Sequence, residues 1–420
     1  MNRIFLLAIL VIFCQRLMAQ PVRLEDCISK AIAHQQFLSQ QEGIQQQGAL
    51  QEAIIKKEWL PQLALQGSAA LQNEQITFPS APNGMAFPEV PLYNVRALLS
   101  VSQPIYDAGM VALKLKMKQQ EHQQDSLSLS ANQLQVRQQV TAMYFGLLLN
   151  QQQQGILEGH LKSLQARVKQ AKAAAEGGAM ANAAVMQLQA RVLELQQQLL
   201  EASSGIEATI EQLSLSTGEA YTSATVFELP EVQADLADVS VLRRPEMQLL
   251  SGQKYALGLK RNMERNKLRP QIGAFASAGV GNPGYNIIEA GWSPMASIGL
   301  SVNWVFFDWG KSRKTRDVIQ LQQAAVDYQQ ERLKLNLQLQ LTSLRNDILK
   351  NEAMLESDQQ IVALRRQVLS RAEVQVTEGV MTTADYLRVV QESQEAEFKM
   401  AIHQIQVQMQ KLNFNLVKGL

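Results

Sequence analysis

Residues 298–310 read IGLSVNWVFFDWG, and this stretch predicts where a strand ends and a helix begins. From Ile298 to Phe306 large apolar side chains alternate with Gly, Ser, Asn and Val, and a period of two is typical of a strand with one apolar face. Asp308-Trp309-Gly310 then interrupts the alternation. Because an aspartate that precedes a helix caps its free N–H groups, we predict a strand-to-helix joint at Asp308 and Gly310.

A second joint lies 201 positions earlier, where residues 97–109 read ALLSVSQPIYDAG. Four apolar residues of this stretch, Ala97, Leu99, Val101 and Ile105, fall on Ile298, Leu300, Val302 and Phe306. Asp107 and Gly109 fall on Asp308 and Gly310. Two such stretches at one offset indicate an internal duplication.

The remaining patterns give each copy the same order: helix, strand, loop, strand, long helix and return helix. In both long helices apolar residues follow heptad spacing, and a helix over 110–175 would be about 100 Å long at 1.5 Å per residue. Glu378-Gly379 is aligned with Glu176-Gly177 as the break between long and return helix. The sequence predicts helices over 24–58, 110–175 and 245–267, strands over 62–72, 93–106, 271–280 and 298–306, and loops over 73–92 and 281–294.

The first nineteen residues are typical of a secretory signal peptide, with Arg3 before an apolar run and a cleavage site after Ala19. The rival interpretation is a membrane anchor, but the apolar run is too short to span a bilayer. A lipoprotein signal at Cys14 is rejected because Phe13 precedes it. Cys27 is interpreted as a small buried side chain. We predict a first repeat over 20–218, a connector over 219–240 and a second repeat over 241–420.

Composition and motifs argue against several functions. The formal net charge of +1 gives no electrostatic reason to bind nucleic acid. The four histidines are scattered, without an HExxH motif or cysteine partners, so we predict no metal site. Asp107 and Asp308 are better explained as helix caps than as paired catalytic carboxylates. We therefore predict neither an enzyme nor a cofactor.

The strands are unusual for a soluble sheet, because their polar sides carry Gly, Ser, Gln and Asn. Strands of about ten residues with one small-polar face and aromatic side chains at their ends are typical of an outer-membrane barrel. A buried sandwich would explain the alternation but not the clustered tryptophans. Four strands cannot close around a lumen, so we predict a homo-oligomer that shares one barrel and one helical tube. The candidate membrane-interface aromatics are Trp59, Tyr106, Trp292, Trp304 and Trp309.

Three segments resemble the TolC family of outer-membrane efflux channels: IYDAG at 105–109, FFDWG at 306–310 and EGVMTTADYLRVVQ at 378–391. The resemblance implies a mixed α and β membrane protein, a homotrimer with a twelve-stranded barrel in outer-membrane lipid and a coiled-coil helical tunnel in the periplasm. It implies a passive exit duct for efflux or type I secretion, without catalysis or cofactor. A periplasmic adaptor would join the tunnel to an inner-membrane pump of the RND or ABC type.

The resemblance also implies site residues at the helix tips. Asp385 matches an aspartate that lines the periplasmic constriction, although a solvated residue at a helix start is the alternative interpretation. A second acidic position of the family is Arg388 here, and the position that matches Asp385 in the first copy is Ala183. Some members of the family are locked closed by a tyrosine and an arginine. Val376 and Met381 occupy those two positions here. The implied adaptor-docking residues are Gly177, Gly178, Gly379, Val380, Met381 and Thr382.

Two other classes of protein compete with this interpretation. A periplasmic coiled-coil adaptor would carry one helical hairpin between compact β domains, whereas this sequence predicts two hairpins that each follow a strand pair. A secreted helical pore-former or structural coiled coil would lack the paired strands with tryptophan at their ends.

Overall fold

The computed structural model of the chain describes residues 21–76, 89–178, 180–237, 244–287 and 291–419. Helices and strands follow one another in the order predicted from the sequence, except that the first helix is divided in two. The elements are α1 (Leu24–His34), α2 (Phe37–Lys57), β1 (Gln62–Leu71), β2 (Tyr93–Tyr106), α3 (Met110–Glu176), α4 (Asn182–Thr217), α5 (Pro245–Asn266), β3 (Gln271–Asn282), β4 (Ser293–Asn303), α6 (Lys311–Thr377) and α7 (Thr383–Lys418).

The two halves of the chain repeat the same architecture. Helices α3 and α6 each contain 67 residues, and α4 and α7 each contain 36. Both pairs begin and end 201 residues apart, which confirms the internal duplication. The predicted alignment of Glu378-Gly379 with Glu176-Gly177 is wrong by one residue, because the left-handed glycine of the first turn is Gly178 (φ 75°) and that of the second is Gly379 (φ 74°).

Contacts divide the chain into two compact units, and both halves of the chain contribute to each unit. The helical unit consists of the described parts of Met1–Gln41, Leu127–Gln248 and Glu331–Leu420. The sheet unit consists of the described parts of Glu42–Ser126 and Leu249–Gln330.

The sheet unit contains one antiparallel sheet with the strand order β1-β2-β3-β4. The two hairpins of the duplicated halves join through β2 and β3, so that Leu99 lies opposite Leu65 on one side and Ala278 on the other. Strands β1 and β4 are therefore the edges of the sheet, and each presents a row of backbone groups without a partner strand among the described residues.

Strand β4 differs from its predicted limits at both ends. It begins earlier, at Ser293, because β3 continues to Asn282 and pairs Gly281 with Ser293. It ends at Asn303 rather than Phe306, because the partner strand starts at Gln271 and the residue before it is Pro270, which has no N–H to donate. Residues 304–307 continue to the joint without regular pairing.

The helical unit has its core along the predicted heptad seams. A cluster near the turns combines residues of α3, α4, α6 and α7, so the two helical hairpins of one chain pack together. A second cluster joins α6 and α7 around Phe414. The buried seam residues that the heptad pattern predicts include Val140, Leu147, Leu157, Leu164, Val185, Leu188, Leu195, Leu341, Ile348 and Val376.

The first predicted helix is wrong in one respect, because it is broken between α1 and α2. Gln36 takes a left-handed conformation with φ 57°, and the N–H of Gln36 bonds to the carbonyl of Ala33. Helix α1 buries Leu24, Cys27 and Ala31 and packs on α4. Cys27 is fully buried, and burial raises the pKa of its thiol.

Some predictions fall outside the described residues, namely the signal peptide at 1–19 and most of the loop over 73–92. Within the described ranges, every helix falls short of the combined length and apolarity that a membrane-spanning helix requires.

Candidate functional site

The two strand-to-helix joints have the same geometry. Asp308 accepts hydrogen bonds from the backbone N–H groups of Gly310 at 3.0 Å and Ser312 at 2.7 Å. Hydrogen bonds from Ser312 hold the pKa of the Asp308 carboxyl below its ordinary value. These bonds satisfy N–H groups that the first turn of α6 would leave free, so Asp308 is a helix cap, as predicted.

Asp107 repeats this cap at the start of α3, where it accepts from the N–H groups of Gly109 at 2.8 Å and Val111 at 2.5 Å. The residues after the two aspartates, Ala108 and Trp309, have φ values of 58° and 55°, and the glycines that follow have 77° and 75°. Two successive left-handed residues redirect the chain from strand to helix, and glycine adopts this conformation without a steric penalty. The same backbone conformation thus forms the joint in both halves of the chain.

Aromatic side chains lie at the ends of the strands. Trp304 is held by a hydrogen bond from its indole Nε1 to the carbonyl of Leu268 at 3.0 Å. Trp309 is 90% exposed, and Trp292, at the opposite end of β4, is also exposed. All the predicted interface aromatics end or flank a strand: Tyr106 ends β2, Trp59 precedes β1, Trp292 precedes β4, and Trp304 and Trp309 follow it.

The register of the sheet separates an apolar face from a small-polar face. Leu65, Leu99, Ala278 and Ala296 lie side by side across the four strands on the apolar face. Nothing in the described ranges covers this face, since Leu65 is 79% and Ile298 87% exposed. The polar face carries mainly Gln, Ser, Asn and Gly, and a large, uncovered apolar face marks a surface for lipid or another protein.

One aromatic residue on the polar face escaped the sequence reasoning. Phe275 belongs to the polar side of β3 and lies opposite Gly299 of β4. A Cβ atom at Gly299 would lie 2.8 Å from Cζ of Phe275, so the end of the ring occupies the space that a larger residue would need. Only the cross-strand pairing shows this contact, because the two residues are far apart in sequence.

The predicted docking residues lie at the two helix turns. Gly177 and Gly178 follow the last residue of α3, and Gly379 to Thr382 connect α6 with α7. Val380 is 75% exposed, whereas Met381 packs against the core cluster of the turns. In the turn between α6 and α7, Val380 therefore points to solvent and Met381 anchors the turn to the core.

Asp385 stands in the first turn of α7 and is engaged in a helix cap. The hydroxyl of Thr382 accepts from the N–H of Asp385 at 3.1 Å and donates to its carboxylate at 2.7 Å. Arg388 reaches the same carboxylate at 3.6 Å. Arg388 therefore partly offsets the charge of Asp385.

Arg167 links the two helical hairpins, and the sequence reasoning missed it. This buried side chain of α3 donates from Nη1 to the hydroxyl of Thr377, the last residue of α6, at 2.8 Å. Its guanidinium carbon lies 5.9 Å from the ring centroid of Tyr386, in the first turn of α7. A hydrogen bond from a charged donor and a cation–π contact thus connect one hairpin to the turn of the other.

A second link between the hairpins runs through Glu397. Glu397 of α7 contacts Nε2 of His160 on α3 at 3.0 Å and Nε of Arg366 on α6 at 2.7 Å. The hydrogen bond from His160, together with that from Arg366, holds the pKa of the Glu397 carboxyl below its ordinary value. Among the described residues, no group of three or more His, Cys, Asp or Glu side chains could hold a metal ion.

Comparison with known proteins adds a family to this geometry. Residues 27–219 and 240–414 match the family model described as outer membrane efflux protein. The match confirms the family resemblance that the joint and turn segments indicate. No curated protein sequence matches the chain.

Solved structures of outer-membrane channels share the fold. The outer-membrane channel OprN superposes with a TM-score of 0.76 at 15% identity, over 94% of this chain and 89% of that one. CusC superposes with a TM-score of 0.75 at 14% identity, over 96% of this chain and 95% of that one. The Campylobacter jejuni CmeC outer membrane channel superposes with a TM-score of 0.73 at 16% identity, over 94% of this chain and 85% of that one. At these identities the likeness establishes the fold alone.

Proposed function

The chain belongs to the outer membrane efflux protein family, and from this premise we propose that three copies form one continuous exit duct. The efflux channel stands in the outer membrane, with its helices in the periplasm. The observation that supports the trimer is the sheet, which has an uncovered apolar face and two open edges, β1 and β4, in the part of the chain that the structure describes. An open edge within lipid would leave backbone groups unsatisfied at several kcal/mol each, so β1 of one copy pairs with β4 of the next.

The size of a barrel supports three copies. Two copies would give eight strands, and about eight strands enclose an interior that side chains alone can fill. Three copies give twelve strands, which is the smallest ring of this sheet with room for a duct. The small-polar face lines it, the apolar face meets lipid, and the aromatic residues at the strand ends lie at the membrane interfaces.

A matched pair of adjacent substitutions tests this orientation. Arginine in place of Ile298 faces lipid near the middle of β4, where such a charge costs about 2–4 kcal/mol, whereas arginine in place of Ser297 faces the duct. We expect Ile298→Arg to deplete the assembled outer-membrane channel and Ser297→Arg to retain it, as measured by membrane fractionation and planar-bilayer conductance. Equal effects of the two substitutions would contradict the orientation.

The helix turns dock a periplasmic adaptor that connects the duct to an inner-membrane pump of the RND or ABC type. The exposed position of Val380 and the anchored position of Met381 support this role. A photo-crosslinker at Val380 should capture an elongated periplasmic adaptor, identified by mass. The same crosslinker at Tyr328, which is equally exposed but belongs to the sheet unit, should not. Equal capture at both positions would contradict docking at the turn.

Asp385 lines the narrow periplasmic mouth in this proposal, with its charge moderated by Arg388. The duct itself performs no catalysis, and the pump selects the substrate, because a lining of Gln, Ser and Asn discriminates little. The alternative of a periplasmic adaptor or structural helical protein is not favoured, since both helical hairpins follow strands of one shared sheet.

A further inference from the structure

A single charged side chain occurs in the four strands, all of whose residues are described. Arg96 of β2 is this residue, and β1, β3 and β4 contain neither acidic nor basic side chains. Arg96 lies opposite Ser68 of β1 and Gly281 of β3, which places it on the small-polar face. It stands near the loop end of β2, far from the helix joint that follows Tyr106.

The neighbouring strand leaves room for the stem of this arginine. A Cβ atom at Gly281 would lie 3.3 Å from Cγ of Arg96, so the aliphatic part of the side chain crosses the glycine. The buried Met295 lies against the same glycine from β4. The stem is therefore packed, and the guanidinium projects from a defined place on the polar face.

The charge of Arg96 is not neutralised within the described part of the chain. Its Nε atom is buried and has no hydrogen-bond partner there, and the side chain forms no ion pair with any described residue. A guanidinium offers five donors in a planar fork that suits carboxylates and phosphates. An arginine with a packed stem and no charge partner among the described residues is thus prepared to attract and hold an anion.

We propose that Arg96 forms an anion-attracting ring in the outer part of the duct, with one guanidinium from each of three copies. This inference rests on the proposed trimeric channel, which turns the small-polar face inward. The ligands are mobile anions, from chloride to solutes that bear a carboxylate, phosphate or sulfonate. Lipid headgroups are not the source, because Arg96 and the apolar side chains occupy opposite faces of the strand. Rings of arginine or lysine favour anions in pores in general.

Charge selectivity in a planar bilayer tests the ring. The purified full-length mature channel is reconstituted under a potassium chloride gradient, and the reversal potential gives the ratio of chloride to potassium permeability. Arg96→Met retains a flexible stem across Gly281 but removes the charge. We expect the ratio to fall roughly twofold or more at 0.1 M salt, because three unit charges about 10 Å from a permeating ion act across about one Debye length. The fall should be larger at lower salt.

Two further variants separate charge from structure. Arg96→Lys retains the charge and should retain the ratio. The double variant Arg96→Met with Ser68→Arg moves the charge to the opposite residue of β1, at the same level and on the same face, and should restore the ratio. If Arg96→Met channels conduct but keep the wild-type ratio of chloride to potassium permeability, the anion ring is refuted and the proposed channel function stands. Absence of conductance in the wild-type protein would overturn the channel function and the inference with it.

Discussion

The contact of Arg167 with the turn of the second hairpin leads to a quantitative prediction about opening. Arg167→Met retains an apolar stem but removes the 2.8 Å hydrogen bond to Thr377 and the cation–π contact with Tyr386. A hydrogen bond from a charged donor contributes about 1.5–3 kcal/mol and a desolvated cation–π contact up to about 2 kcal/mol. Removing the unpartnered Nε offsets part of this loss, which leaves about 1–3 kcal/mol for each chain.

If the two hairpins separate when the periplasmic mouth opens, this energy stabilises only the closed state. Its loss shifts the equilibrium toward the open state by roughly 5- to 150-fold for each chain. We expect Arg167→Met channels to spend more time at high conductance in planar bilayers. Cells that carry them should also become sensitive to large antibiotics that enter through an open duct.

Lys169→Met is the matched control, since it removes a positive charge two residues away from an exposed position of the same helix. It should leave conductance and antibiotic sensitivity at wild-type values. The reasoning fails if Arg167→Met and Lys169→Met are indistinguishable, or if Arg167→Met simply abolishes the folded channel.

Three other predictions concern the turn, the sheet and acid stability. Gly379→Val places a β-branched residue at φ 74°, a strain of about 1–2 kcal/mol or more, and should impair export while outer-membrane fractionation still finds the oligomer. Gly279→Ala would bring a Cβ within 1.9 Å of the Ala97 carbonyl oxygen, so gel electrophoresis of unheated samples should show less oligomer than for wild type. The pKa of Glu397 is lowered in the folded chain, so its ionised carboxyl stabilises the fold. This contribution is fully present above the unfolded pKa of about 4.3 and is lost as pH falls through the lower pKa of the folded chain. Thermal unfolding of Glu397→Gln should therefore depend less on pH below about 4 than that of wild type.

Periodic patterns in the sequence were sufficient for most of the fold. Alternation located the strands and heptads located the long helices, because both patterns record which side chains one face must bury. The aspartates before the two joints predicted the caps, since a short-range hydrogen bond depends on few neighbours. The ends of the strands were harder to predict than their positions. Strand β4 stops at Asn303 because its partner strand begins after Pro270, and only the register of the two strands shows this.

The contacts between the hairpins could not be found from sequence. Arg167 and Thr377 are 210 residues apart, and an arginine in a helical heptad is ordinarily interpreted as a solvated side chain. The break at Gln36 was missed for a similar reason, because glutamine is a good helix former and the burial of α1 against α4 overrides its local preference. Long-range packing decides both features.

The trimeric duct is the central claim, and native mass spectrometry of the detergent-solubilised mature protein tests it most directly. The four-stranded sheet with open edges β1 and β4 requires other copies to close, and three copies are the smallest ring that leaves a lumen. The account predicts a complex of three chains as the dominant species. A stable monomer, or a complex of two chains, would contradict it.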